Sequence, residues 1–319
     1  MGDRSAAALY AVAWRALGAV PERTGRRVFD RIADHAWRSR TDGLRRLEAN
    51  LRRVAGPGAT QAQLRALSRA GMRSYLRYFH EMFRLAHTPR EVILGRTDAT
   101  GVDVLEDHIR AGRGVVAALP HMGNWDHAGA WIALRGIPLT TVAERLRPES
   151  VYERFTAFRE GLGMEVLPLT GDGAGTAGRL ARRLRAGRLV CLLADRDLTD
   201  HGVEVELFGE PARFPAGPAA LALGTGAALM PVSLWYEGDR WCIRVHEEIP
   251  PPAAGDRAAR VREMTQGLAA VFEGAIAEHP EDWHMLQRVF SADLGPGTAT
   301  AAAGPSPAPG PAPAAPENR

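Results

Sequence analysis

The chain has 319 residues, of which 45% are hydrophobic, so it is long enough and apolar enough for a large buried core. Two cysteines cannot support a disulfide-stabilised module or a cysteine-rich zinc site, and no run of about eighteen apolar residues predicts an ordinary membrane-spanning helix. The net charge is only +3, but residues 1–84 carry ten more arginines than carboxylates. Such a basic segment is typical of proteins that bind an anionic lipid surface or a nucleic acid.

The N-terminal region, residues 1–90, is predicted to be helical and to associate with a membrane. Apolar residues recur at helical spacing from Thr24 to Arg38, again after Thr41, and from Gln61 to Leu85. Arginines occupy much of the remaining surface of these segments, which favours contact with anionic lipid.

The segment from Ala6 to Val20 is apolar apart from Arg15 and is too short to span a bilayer. We expect an amphipathic helix that lies at a membrane surface, with Tyr10 and Trp14 as anchors in the interface. The alternative is a helix packed on the protein's own core, as amphipathic helices usually are.

Residues 91–291 change to short apolar runs that alternate with helical patterns. The predicted strands are Val92–Leu94, Val115–Leu119, Leu139–Ala143, Glu165–Leu167, Leu189–Ala194, Val203–Leu207, Leu229–Trp235 and Trp241–Val245. The predicted helices are Val102–Arg110, Trp125–Arg135, Tyr152–Glu160, Gly178–Arg185, Ala216–Leu223 and Ala258–Ala277. This alternation predicts an α/β fold, with a mixed, mainly parallel sheet flanked by helices. Residues 292–319 are rich in alanine, proline and glycine, and we expect this tail to be disordered.

A histidine and an aspartate follow the predicted strand Val115–Leu119 in the segment His121-Met-Gly-Asn-Trp-Asp126. If Asp126 accepts a hydrogen bond from one ring nitrogen of His121, the other nitrogen can take a proton from a substrate hydroxyl. That alcohol can then attack an activated acyl group, and free N–H groups at the next helix start can stabilise the oxyanion. The same spacing also arises in purely structural turns, but the position at a strand end favours catalysis.

The segment resembles the His-x4-Asp/Glu signature of the glycerolipid acyltransferases. With Gly-Asn-Trp inside it, it is similar to the branch that acylates lipid A and to the actinobacterial relatives that acylate phosphatidylinositol mannosides. Further similar blocks follow in the same order, at Thr141 to Leu146, Phe158 to Gly163, Leu192 to Asp197, Phe208 to Pro218 and His279 to Trp283. The resemblance implies a glycerol-phosphate-acyltransferase-like fold and transfer of a fatty acyl chain from acyl-CoA, such as palmitoyl-CoA, to a mannose hydroxyl, without metal or further cofactor.

The resemblance also implies roles for individual residues. His121 is the expected base, Asp126 its partner, and Asp195, at a position that is usually acidic, is expected to help hold the histidine. The residues implied to contact the substrates are Glu144, Arg159, Arg196 and His279. A surface ion pair is the alternative for Glu144 and Arg159. Since His121, Glu144 and Asp195 each follow a predicted strand, we expect them to converge at the carboxyl edge of the sheet.

Other functions remain open on the sequence alone. A thioesterase or other hydrolase would use water in place of the alcohol, and the acceptor of an acyltransferase could be another glycolipid or a lysophospholipid. The pattern Gly173-Ala-Gly175-Thr-Ala-Gly178 matches the fingerprint of an NAD-dependent oxidoreductase, but it comes late among the strands. A non-enzymatic binding module is a further alternative, although no standard nucleic-acid motif is present. We expect a peripheral enzyme on the cytoplasmic face of the cell membrane.

Overall fold

The computed structural model describes residues 20–144, 149–169, 174–197 and 202–294. The predicted interfacial helix from Ala6 to Val20 and the predicted disordered tail therefore lie outside the described residues, apart from Val20 and residues 292–294. Within the described ranges, no helix combines the length and the apolar composition that crossing a bilayer requires.

Helices and strands follow one another largely as the sequence predicts. The helices are α1 (Glu22–Arg38), α2 (Asp42–Ala55), α3 (Gln61–Leu85), α4 (Arg90–Gly95), α5 (Val102–Arg110), α6 (Trp125–Leu134), α7 (Glu149–Gly161), α8 (Ala174–Arg185), α9 (Gly217–Thr225) and α10 (Arg257–Glu278). The strands are β1 (Thr97–Thr100), β2 (Val115–Leu119), β3 (Leu139–Ala143), β4 (Met164–Pro168), β5 (Leu189–Leu193), β6 (Val203–Leu207), β7 (Glu210–Phe214), β8 (Ala228–Glu237) and β9 (Arg240–Val245). Two short 3-10 turns, Pro280–Asp282 and Ser291–Asp293, follow α10.

Seven strands form one sheet in the order β1-β9-β8-β2-β5-β3-β4, and β6 and β7 form a separate antiparallel hairpin. All pairs in the large sheet are parallel except β8 with β9. The buried clusters divide between the two faces of this sheet, which confirms the predicted α/β fold with a mainly parallel sheet flanked by helices.

The predicted strand Val92–Leu94 is wrong, because these residues lie in α4. A run of three apolar residues does not distinguish a strand from a helical turn. Pro89 precedes the helix with the φ angle that its ring imposes, −57°, and only Ile93 of the three is buried. The first strand of the sheet is instead the polar edge strand β1, which pairs with β9. Its sequence has no apolar pattern that predicts a strand.

The glycines of the Gly-x-Gly-x-x-Gly pattern do not form a phosphate-binding loop where the structure describes them. Gly175 and Gly178 both lie inside α8, and Thr176 between them donates a hydrogen bond from its hydroxyl to the Pro168 carbonyl at 2.8 Å. The helix has therefore begun before the second glycine of the pattern, so the turn that a dinucleotide site needs is missing from this part of the pattern.

The three N-terminal helices share one core with the sheet. The Thr41 hydroxyl caps α2, and Thr60 and Gln63 form a capping box at the start of α3. Buried residues of α2 and α3, such as Leu47 and Tyr78, belong to the same apolar cluster as strands β2 and β8. As a consequence, α3 carries side chains to the carboxyl edge of the sheet.

Strand register determines which residues meet at that edge. β2 and β5 are neighbours, with Leu119 opposite Leu193. The pairing continues one residue further, because the Ala194 amide donates to the Leu119 carbonyl at 2.8 Å. His121 and Asp195 each lie two residues beyond that pair, on strands about 4.8 Å apart. The sheet itself thus places an imidazole beside a carboxylate.

Candidate active site

The His121 ring forms its hydrogen bond with Asp195. The Nδ1 atom lies 2.5 Å from the Asp195 Oδ1 atom, and the His121 backbone amide donates to Oδ2 at 2.9 Å. Because a carboxylate only accepts, Nδ1 carries the hydrogen and Nε2 has a free lone pair. Aspartate is long enough here because the two strands are adjacent and the turn after β2 brings the imidazole down to it.

Asp195 is completely buried and is held by three donors. Besides the His121 ring and amide, the indole Nε1 of Trp283 donates to Oδ2 at 2.9 Å. Burial alone would raise the pKa of Asp195, but the His121 ring and these hydrogen bonds outweigh burial and hold that pKa below its usual value. The group beside His121 is therefore an aspartate anion.

Asp126 does not meet the His121 ring, which corrects the expectation from the motif. Both oxygens of this buried carboxylate are engaged elsewhere: Arg159 donates from Nε to Oδ1 at 2.6 Å and from Nη2 to Oδ2 at 3.2 Å, and the Tyr78 hydroxyl donates to Oδ2 at 2.7 Å. The reason is geometric, since Asp126 lies in the first turn of α6 rather than at the end of a neighbouring strand.

Charges in this second cluster are well compensated. Burial alone would lower the pKa of Arg159, but the charge and hydrogen bonds of Asp126 raise it above its usual value. Burial and the adjacent Asp126 raise the pKa of Tyr78, so its phenol stays protonated and donates. The cluster joins α3, α6 and α7 at the carboxyl edge of the sheet. It positions these three helices and does not contact the His121 ring.

A segment after α10 packs against the turn that carries His121. The His284 amide donates to the His121 carbonyl at 2.7 Å, the Gly123 amide donates to the Asp282 carbonyl at 3.0 Å, and Met122 forms an isolated antiparallel bridge with Trp283. Gly123 has a φ of +57° and its missing Cβ would lie 2.7 Å from the Leu234 backbone, so glycine is required at this point of the turn.

A buried polar network supports this segment from α3. The Ser74 hydroxyl contacts Asp282 Oδ1 and lies 2.9 Å from His284 Nε2. Burial raises the pKa of Asp282 to about 6, whereas burial, together with the nearby His121 ring, lowers the pKa of His284 to about 3. His284 is therefore neutral at ordinary pH, and the network fixes the backbone beneath His121 without adding a positive charge there.

A cavity of about 720 Å³ lies beside His121, and its lining includes residues of the apolar clusters on both faces of the sheet. It contacts both Leu189 and Leu193, the first and last residues of β5, and so extends about 13 Å along that strand. Its other apolar lining includes Leu105, Gly129, Ile132, Leu139, Met164 and Cys191. The volume is within the roughly 300–1,000 Å³ typical of small-ligand sites.

Charged side chains lie where the cavity reaches His121. Arg159 and Glu144 both contact it, and so does Arg196, the residue after Asp195. The Arg196 side chain is only 11% exposed, its Nη2 lies 3.7 Å from Glu144 Oε2, and its buried Nε has no hydrogen-bond partner among the described residues. Burial lowers the pKa of Arg196. In contrast to Arg159, the positive charge of Arg196 has no carboxylate within good hydrogen-bond distance among the described residues.

The structure does not bring His279 to this cavity. Its ring stacks on Trp235 with centroids 4.8 Å apart and planes 10° from parallel, and it is not among the described residues that line the cavity. His279 ends α10, and the chain must pass through the following 3-10 turn before Trp283 reaches Asp195. The expectation of a substrate contact for His279 is therefore not supported by its position.

A family model for bacterial lipid A biosynthesis acyltransferases matches residues 3–292. The chain belongs to this acyltransferase family. It is 48% identical over 286 residues to a phosphatidylinositol mannoside acyltransferase of Mycolicibacterium smegmatis, covering 89% of this chain and 91% of that protein. A protein of the same name from Mycobacterium tuberculosis is 46% identical over 289 residues, covering 89% of this chain and 88% of the relative.

Several residues of the site in this acyltransferase were not predicted. Tyr78 lies among aromatic residues at helical spacing in α3, a pattern that predicts core packing rather than a role at a site. Trp283 lies in the block from His279 to Trp283, where the histidine was the residue singled out. A buried tryptophan whose N–H needs an acceptor was the available signal.

Proposed function

We propose that this acyltransferase moves a fatty acyl chain from acyl-CoA to a mannose hydroxyl of a phosphatidylinositol mannoside. The observation that carries the proposal is the pairing of His121 Nδ1 with the buried Asp195 carboxylate, beside a long apolar cavity. The names of the two relatives support the choice of acceptor, because both relatives align with about nine-tenths of this chain.

In the proposed reaction, His121 Nε2 takes the proton of the mannose hydroxyl as its oxygen attacks the thioester carbonyl carbon. A C–O bond forms and the carbonyl electron pair moves to oxygen, giving a tetrahedral oxyanion. The C–S bond then breaks, and the departing thiolate takes the proton from the His121 imidazolium to leave as CoA. Asp195 stabilises the imidazolium between these steps.

The apolar cavity fits the fatty acyl chain of the donor. Burying a methylene group contributes about 0.8 kcal/mol, so a chain of many methylenes would bind mainly through this cavity. Because the charged side chains lie near His121, the polar parts of both substrates would bind at that end of the cavity. The acyl carbonyl would then lie where the cavity meets the imidazole.

We further propose that α1 holds the enzyme on the cytoplasmic face of the cell membrane. Arg23, Arg27, Arg31 and Arg38 are exposed along this helix, and none of them has an ion-pair partner among the described residues. Each arginine near an anionic lipid surface contributes about 1 kcal/mol. This attraction would bring the enzyme to an acceptor whose acyl chains stay in the bilayer.

Mass spectrometry of the products tests the proposal. The full-length protein is incubated with palmitoyl-CoA and a phosphatidylinositol mannoside in anionic vesicles. The acceptor should gain one acyl chain, and His121→Ala should abolish the gain while the protein stays folded. Raising the salt concentration should slow the reaction on vesicles more than on detergent-dissolved acceptor, because salt screens the arginines.

Other products would contradict the proposal in distinct ways. Free fatty acid with unmodified acceptor would indicate a thioesterase. Acylation of a lysophospholipid or another glycolipid, with the mannoside untouched, would keep the acyltransferase chemistry and replace the acceptor. Full turnover by His121→Ala would overturn the mechanism itself.

A further inference from the structure

The backbone amides nearest to His121 are already occupied. The His121 amide donates to Asp195 at 2.9 Å, the Met122 amide to the Pro120 carbonyl at 2.8 Å, and the Gly123 amide to the Asp282 carbonyl at 3.0 Å. An oxyanion formed beside His121 therefore cannot use the amides of His121, Met122 or Gly123 without breaking the bonds that hold this turn.

Three arginines of the described residues line the cavity, Arg159, Arg196 and the exposed Arg257, and the two that are mostly buried differ in what they already bind. Arg159 makes a two-point contact with Asp126, so its charge is matched before any substrate arrives. Within the described part of the chain, the only carboxylate that pairs with Arg196 is Glu144 at 3.7 Å, beyond the range of a good hydrogen bond, and the buried Nε of Arg196 has no partner there. Burying a guanidinium whose N–H donors are unpaired costs free energy. Binding an anion therefore stabilises such a group more than a guanidinium that already has a partner.

We infer that Arg196 is the group that stabilises the tetrahedral oxyanion of acyl transfer. This inference rests on the proposed function and assigns a catalytic role to a residue that the sequence suggested only as a substrate contact. Arg196 directly follows Asp195 in the chain, so the segment that fixes His121 also fixes the guanidinium. Because the negative charge appears only in the transition state, the interaction would accelerate the reaction without tightening ground-state binding.

The rival assignment is a phosphate of acyl-CoA or of the acceptor, since arginine also suits phosphate. Phosphate is fully charged in the ground state, so loss of a phosphate contact raises KM, whereas loss of an oxyanion donor lowers the rate of the chemical step. A second rival is the start of α6, where the amides of Asn124, Trp125 and Asp126 have no hydrogen bond within the described part of the chain.

The test compares Arg196→Gln with the wild-type protein in single-turnover transfer from palmitoyl-CoA to a phosphatidylinositol mannoside. We expect the transfer rate to fall about 100- to 1,000-fold, the usual effect of removing one oxyanion donor, with KM for both substrates changed less than about threefold. The control is Arg188→Gln, an exposed arginine at the opposite end of β5 outside the cavity lining, which should transfer at the wild-type rate.

A thioether analogue of palmitoyl-CoA separates chemistry from folding, because it has no carbonyl and forms no oxyanion. Arg196→Gln should bind it with wild-type affinity. If Arg196→Gln fails to fold, Arg196→Lys takes its place, and its rate should fall at least tenfold with the analogue still bound.

The remaining outcomes overturn the inference. A higher KM for either substrate at an unchanged rate would assign Arg196 to a phosphate. An unchanged rate and KM would reject Arg196 as an oxyanion donor and favour the amides at the start of α6. In both cases the wild-type protein still acylates the mannoside, so the proposed function survives. A wild-type protein that acylates nothing would reject the proposed function, and this inference with it.

Discussion

Two buried aspartates lie at the same edge of the sheet and have opposite partners. Asp195, at the end of β5, binds the His121 ring and backbone amide. Asp126, in the first turn of α6, binds Arg159 and Tyr78. Asp126 is five residues from His121 in sequence and Asp195 is 74, so closeness along the chain did not determine the partner. Register between neighbouring parallel strands did.

The largest effect that separates the two aspartates is expected for Asp195→Asn. An amide in this position can donate to Nδ1 and favour the wrong ring tautomer, and it cannot stabilise the imidazolium. We expect the turnover rate to fall about 10⁴-fold, as in other histidines that lose their carboxylate. Steady-state kinetics measures the loss, and Asp195→Glu, which keeps the charge, should retain much more activity. Near-normal turnover of Asp195→Asn would show that the motif partner Asp126 orients the histidine after all.

Asp126→Asn should act mainly on stability. The change removes the charge opposite the mostly buried Arg159, and we expect unfolding to become easier by about 3 kcal/mol, the lower end of the range for breaking a buried pair. Urea unfolding measures this difference. The double variant Asp126→Asn with Arg159→Met should recover part of it, because no unpaired guanidinium remains. Unchanged stability with a loss of turnover equal to that of Asp195→Asn would contradict the comparison.

The smallest effect is expected for Trp283→Phe. This change keeps an aromatic ring but removes one donor from Asp195, and a hydrogen bond to a charged group contributes about 1.5 kcal/mol or more. Such a loss corresponds to about a tenfold lower turnover rate, with KM unaffected. The matched control is Trp235→Phe, since that indole donates to Glu237 away from the cavity. Equal losses in both variants would mean that Trp283 supports the fold rather than the histidine.

The sequence predicts most strands well but misses one edge strand of the sheet and one strand of the hairpin. β2 and β3 match their predicted bounds, because β2 is a continuous apolar run and β3 is a run of apolar and β-branched residues. β1 (Thr97–Thr100) and β7 (Glu210–Phe214) were missed, since one is polar and the other contains Pro211 next to charged residues. No residue of β1 is buried, so no apolar pattern marks it, and a proline inside a run argues against a strand even where, as in β7, the strand forms.

The sequence predicts where the candidate site lies, but not which of its side chains form hydrogen bonds with one another. Three strand ends were expected to meet, and the structure places His121, Glu144 and Asp195 at the same edge. The roles of Asp126 and Trp283 depend on which donors and acceptors face each other after folding. Such pairings depend on side-chain directions that hydrophobic periodicity does not contain.

Tyr78 and Ser74 of α3 reach into the catalytic region, and this has a consequence for how the protein can be divided. A fragment that begins at Glu91 would keep the whole sheet and the His121 turn. It would still lack the phenol that donates to Asp126 and the hydroxyl that contacts Asp282 and His284. It would also expose the apolar face that α2 and α3 cover. The N-terminal helices are thus part of the enzyme's core. Another lipid anchor would have to be fused to a protein that keeps α3, and not directly to the first strand.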